Sequence, residues 1–143
     1  MLTASRPSLR NRQWKSGLII LALAAVLAGC HRSSRHHTHV IVDPTPSDFV
    51  YEAHVFGADF EDAYVWFNPF DEALVDLSVV DFDGELIVII EDATGYEIYR
   101  DHLLGAGGTI VVKGITRFGI PGDWVIRIIG FDLTGDVALT VYP

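Results

Sequence analysis

The side chains of this sequence that could do chemistry fall into a few small groups. The first is the single cysteine, Cys30, at the end of the apolar stretch "LAAVLAGC". One thiol cannot form an internal disulfide, so it is an attachment point, a nucleophile or a buried residue. The second group follows at once: His31, His36, His37 and His39. Short histidine tracts can bind zinc, nickel or copper through imidazole nitrogens, but a tether supplies ligands without the outer contacts that orient them. The third group is acidic. "GADFED" carries Asp59 and Asp62, and "DFDGE" carries Asp81 and Asp83. Calcium takes six to eight oxygen ligands, and acids spaced along loops can supply them, so these four are the calcium candidates. The glycine of "DFDGE" comes too early for an EF-hand loop. Asp and Gly are equally the ordinary residues of turns.

Catalytic constellations are absent from the pattern. Ser78 is the serine of the body, and no Gly-x-Ser-x-Gly elbow surrounds it. His54 and His102 are the body histidines. There is no phosphate loop, dinucleotide fingerprint or His-Glu-x-x-His. The expectation is a protein that is not an enzyme and needs no cofactor, calcium aside. Trp66 and Trp124 could stack on a sugar ring. Trp124 is in phase with Ile126 and Ile128, which places it in a core instead. Trp66 is open to either reading.

The elements that hold these residues differ along the chain of 143 residues. No acid precedes Asp43. From Asp43 onward, 19 acidic residues face four basic ones, a balance of -15. Such asymmetry marks segments with different jobs, and an acidic body repels nucleic-acid phosphates. Met1 to Ser16 is polar and basic. Gly17 to Ala28 is an uncharged run of 12 residues. A bilayer-spanning helix needs about 20 apolar residues, so the pattern is that of a secretory signal peptide.

Leu27-Ala28-Gly29-Cys30 resembles the lipobox of bacterial lipoproteins, an aliphatic residue and two small ones before the cysteine. The resemblance implies that residues 1–29 are a removable signal peptide. It also implies that the Cys30 thiol carries a diacylglyceryl group holding the protein to a membrane of the cell envelope. Two or more acyl chains give stable anchoring where one gives only a marginal hold. His31 stands where the lipoprotein pattern for inner-membrane retention has Asp, which implies the outer membrane in a two-membrane host. Residues 30–47, ending "DPTPS", read as a flexible tether.

From residue 48 to 143 apolar residues recur with period two, broken by turn residues every 8 to 12 positions. That predicts an all-β fold, a small antiparallel sandwich, jelly-roll-like, with about eight strands. The stretches are Phe49 to Phe56, Ala63 to Phe67, Leu74 to Val80, Glu85 to Glu91, Tyr96 to Arg100, Thr109 to Ile115, Asp123 to Gly130 and Asp136 to Tyr142. "ELIVIIE" is apolar from Leu86 to Ile90, as in a central strand covered on both faces, and "DATG", Asp92 to Gly95, is a turn. The closing "GIPGDWVIRIIGFDLTGDVALTVYP" resembles the ends of pre-peptidase C-terminal modules and of the P domain beside subtilisin-like proteases. That likeness implies a sandwich with no catalytic residues. The sequence therefore points to a non-catalytic, envelope-anchored binding or structural domain, whose partner is an envelope protein. The alternative is a calcium-dependent carbohydrate-binding module whose partner is a glycan.

Overall fold

The computed structural model describes residues 37–45 and 47–143. The expected signal peptide, Cys30, His31 and His36 lie outside the described residues. Six strands form one antiparallel sheet: β1 (His37–Pro44), β2 (Phe49–Asn68), β3 (Leu74–Glu91), β4 (Glu97–Ala106), β5 (Ile110–Ile115) and β6 (Gly122–Tyr142). Their order is β1-β2-β6-β3-β4, with β5 also paired to β3.

The eight predicted stretches all fall within strands, to within a residue at their starts, but six of them fuse into three, and the stretch from Tyr96 continues past Arg100 to Ala106. β2, β3 and β6 each run 18 to 21 residues. Each contains one extra residue relative to its neighbours, between Val55 and Ala58, between Val80 and Asp83, and between Gly130 and Leu133. An unpaired extra residue bends a strand and shifts its alternation by one. The burial pattern records the shift. Val75, Leu77 and Val79 point inward on β3 before the bulge, and Phe82, Leu86, Val88 and Ile90 after it. On β6, Trp124, Ile126 and Ile128 give way to Leu133, Val137, Leu139 and Val141. Each bulge contains one left-handed residue: Gly57 at φ 53°, Asp81 at 53° and Asp132 at 46°. Asp is among the few residues with a Cβ that tolerate that region.

The three bulges lie side by side and make one corner, over which the sheet folds into two layers. Layer A comprises β1, residues 49–55, 135–141 and 74–79, and β5. Layer B comprises residues 60–68, 122–130 and 85–91, and β4. Rings cross between them: Tyr64 of layer B lies 5.8 Å from Phe49 and 5.9 Å from Tyr51 of layer A. This is a β-sandwich, with 22 buried apolar side chains in one cluster.

The structure corrects the tether. His37 to Pro44 is not a spacer but an edge strand, paired with β2 from Val55 back to Phe49. Val40 and Val42 pack against the core. The "ELIVIIE" segment is central, between β6 and β4. Its even-numbered side chains fill the core, while Ile87 and Ile89 sit on the outer face of layer B.

Candidate functional site

The sandwich has two unlike ends. At the corner β2, β3 and β6 run through unbroken, and the short β4–β5 turn, residues 107–109, bonds to Phe82 there. The opposite end is made of loops: 69–73 after β2, 92–96 after β3 and 116–121 after β5. The described residues hold three buried polar side chains, Asn68, Asp92 and Thr116, and each holds one of these loops. Asn68 accepts from the Phe70 amide at 3.0 Å and donates to the Glu72 carbonyl at 3.2 Å. Thr116 Oγ1 accepts from the Ala73 amide at 3.0 Å.

Asp92 accepts four hydrogen bonds. Oδ1 takes the Thr94 amide and hydroxyl and the Tyr96 amide, closing the predicted turn. Oδ2 takes the Ile120 amide at 2.9 Å, fastening a second loop to the first. The Ile120 amide, followed by the Thr94 hydroxyl, holds the Asp92 carboxyl down to about 2. Hydrogen bonds to a carboxylate favour its charged form. The Ile120 carbonyl is itself fixed, accepting from Trp124 Nε1 at 2.8 Å. The Gly119 amide donates to the Asp71 carbonyl at 2.8 Å, joining the third loop.

What these fixed loops present is apolar. Phe70, Tyr96, Phe118 and Ile120 are each more than half exposed, Phe118 at 71%. Scattered exposed apolar residues need no explanation, but four on interlocked loops at one end are the pattern of a contact surface. Loops whose polar anchors are buried lose little further entropy on binding.

A second surface lies on the outer face of layer A. Register rows cross it: His54, Asp136 and Val80, then Ile41, Glu52, Ala138 and Ser78. Small side chains at Ser78 and Ala138 leave a hollow of about 310 Å³ beside His54 and Asp136. An adjoining one of about 240 Å³ reaches Asp76 and Lys113. Ser78, His54 and Asp136 share the first hollow, but they are not a catalytic relay. Ser78 is two strands from His54, roughly 10 Å across the sheet, beyond the reach of a nucleophile and its base.

The calcium candidates take other places than those expected. Asp59, Asp62, Asp81 and Asp83 are not on loops but within β2 and β3 at or near the corner. Asp81 is the left-handed bulge residue of β3. Asp59 accepts from the Asp132 amide at 2.7 Å, bracing the bulge of β6. Asp83 accepts from the Gly84 amide, and Asp62 accepts from the Tyr51 hydroxyl at 3.3 Å. Among the described residues, no three His, Cys, Asp or Glu side chains group to hold a metal ion. Trp66 and Trp124 are both buried. They face each other across β2 and β6 with centroids 6.1 Å apart, edge to face, so neither offers a ring to a sugar. His102 contacts Glu85 at 2.7 Å on the outside of layer B.

Sequence pattern does not single out the aromatic loop end. It carries a weak signal, since Asn68-Pro69, "DATG" and Pro121-Gly122 are the turn-rich breaks between apolar runs.

No protein-family model matches the chain, and no curated protein matches its sequence. Solved structures give low-scoring likenesses. The chain is similar to TmCBM61 in complex with β-1,4-galactotriose, at TM-score 0.41 and 12% identity, over 76% of this chain and 71% of that one. It is also similar to the arabinose-bound MgGH51 α-L-arabinofuranosidase, at TM-score 0.36 and 12% identity, over 73% of this chain and 22% of that one. The enzymatically active domain of bacteriophage CBA120 tailspike protein 4 gives TM-score 0.36 and 14% identity, over 73% and 17%. The chain thus spans less than a quarter of the length of these last two.

Proposed function

We propose that this chain is a non-catalytic binding domain, held to the outer membrane of a bacterial envelope through lipid on Cys30, and that it binds an envelope protein through its loop end. The observation that carries the reading is the use of the buried polar side chains. Asn68, Asp92 and Thr116 are all engaged in fixing loops whose exposed residues are Phe70, Tyr96, Phe118 and Ile120. Aromatic anchors on a rigid support are what protein interfaces favour, with little entropy left to lose. The strand directions agree with it. β1 begins at His37 beside Val55, at the corner, the end of the sandwich away from these loops.

Two measurements test this. Cys30→Ala should abolish labelling by a fatty-acid analogue, and persistent labelling defeats the anchor. A photo-crosslinking residue at Phe118 should give a protease-sensitive adduct in intact cells, and the same residue at Lys113, on the outer face of layer A, should give none. Adducts at Lys113 alone would move the binding surface to that sheet face.

A further inference from the structure

We propose that layer B takes up an extended strand of another protein along its open β2 edge, residues 63–68, with apolar side chains of that strand set over Val40 and Val42 of β1. The inference is separate from the loop end and goes beyond the binding surface proposed there. It starts from the unequal width of the two layers. Among the described residues, layer A is five strand segments wide, from β1 through β2, β6 and β3 to β5. Layer B is four wide, from β2 through β6 and β3 to β4. On the far side β4 covers β5, and a Cβ on Gly114 would meet the Tyr99 ring at 2.8 Å. β1 has no such counterpart. It pairs with β2 only from Phe49 to Val55, so past the corner no described strand adds to residues 63–68 on the side away from β6. This leaves a place one strand wide, with a backbone edge as its wall and β1 as its floor. Val40, Val42 and Tyr64 pack against the core there and are only partly buried.

A sheet edge presents a row of unpaired amides and carbonyls, and native edges are guarded by charge, proline or brevity. The other edges are guarded in these ways. β1 carries Asp43 and Pro44, β4 carries Glu97, Arg100, Asp101 and His102, and β5 is six residues long with Lys113. Residues 63–68, "AYVWFN", hold neither charge nor proline, and Val65 and Phe67 are 61% and 56% exposed. What fills the place follows from its surroundings. An extended strand satisfies an open edge through main-chain hydrogen bonds, and its alternate side chains give specificity. The chain's own approach to β1, His31 to His36, reads "HRSSRH" and has no apolar residue to set over Val40 and Val42. The apolar run Gly17 to Ala28 leaves with the signal peptide, a step that rests on the anchor proposed above. A second copy is obstructed. Twofold pairing of two 63–68 edges would drive the two β1 strands, each projecting one strand beyond its edge, into the same space. A strand of a different protein remains, apolar at alternate positions. Acids flank the place, Asp43 and Asp48 at the loop end and Asp59 and Glu61 toward the corner, so basic residues at the ends of that strand suit it.

The test is a photo-crosslinking residue at Phe67 of the full chain in intact cells. It should give an adduct with a different protein, mapped by mass spectrometry to one segment with apolar residues at alternate positions. In the purified adduct, amide exchange across residues 63–67 should slow at least about tenfold against the uncrosslinked chain, because added ladder bonds cover amides that side-chain contact leaves open. V65K puts a lysine on the edge and should cut the adduct at least about tenfold. V65T keeps a branched, uncharged side chain and should retain it. Val65 is exposed, so both variants should melt as the wild type does. The Phe118 adduct of the loop end should survive in V65K, which keeps the two surfaces distinguishable. An adduct undiminished in V65K, exchange that does not slow, a cross-link to a second copy or within the chain, or no adduct at Phe67 overturns the proposal. A cross-link to residues 17–28 would also refute removal of the signal peptide, which labelling of Cys30→Ala reads separately.

Discussion

The two ends of the sandwich are built from the same residues, Asp and Gly, put to opposite uses. At the corner, Asp81 and Asp132 are exposed and take left-handed backbone that lets long strands bend without breaking. At the loop end, Asp92 is buried, and its carboxylate joins its backbone in organising the chain, reaching across to a second loop. One end continues the hydrogen-bonded ladder through a change of direction. The other interrupts the ladder and replaces it with side-chain acceptors. An acid beside a glycine therefore announces a change of direction, and only its burial tells which device is in use.

Substitutions can separate the two devices, and both rest on the shared core. Trp124→Ala should have the largest effect, about 3–5 kcal/mol by denaturant unfolding, because the ring is fully buried against Trp66 and its Nε1 holds Ile120. An unchanged midpoint would remove Trp124 from the core. Gly84→Ala tests the corner. Gly84 has φ +89°, and a Cβ there would meet the Asp132 carbonyl oxygen at 2.4 Å. Strain and clash together should cost about 2–4 kcal/mol, and an unperturbed melt would show that the strands can bend elsewhere.

Asp92→Asn tests the loop end and should act through pH. The carboxyl titrates at about 2 in the fold against an ordinary 3.8, so it contributes stability above about pH 4 that is lost as pH falls through 2. The variant should be less stable at pH 7, with a shallower fall between pH 4 and 2. An acid profile parallel to the wild type would show that Asp92 is not the group responsible. Phe118→Ala should change stability least, within about 0.5 kcal/mol, since it removes only an exposed ring. A larger loss would place Phe118 in the packing of its own loop.

Much of the fold is readable in the sequence, at the scale of single strands. Period-two runs locate all eight stretches, and phase with Ile126 and Ile128 puts Trp124 in the core. What alternation cannot show is that Phe49 to Phe56 and Ala63 to Phe67 are one strand. A bulge is one residue, and "FGAD", "DFDG" and "FDLTGD" have the composition of a tight turn. β1 is hidden for a different reason. Among its described side chains Val40 and Val42 pack against the core, and its fit as a strand depends on β2, paired through Phe49 to Val55. The loop end is hidden because exposure, not residue type, distinguishes Phe118 from a core phenylalanine such as Phe49.

The pairing of β1 also has a mechanical meaning. It runs from the corner, at His37, toward the loop end, at Pro44, alongside β2. Suppose tension acts between the chain upstream of His37 and anything gripping the loops at the far end. The pull then lies along β1 and opposes the rest of the sheet. The ladder's bonds run perpendicular to the strands, so they resist such a pull together, in shear, and do not break singly in succession as in a zipper. An edge strand that adds modestly to equilibrium stability is thereby placed where it governs how the domain withstands being pulled.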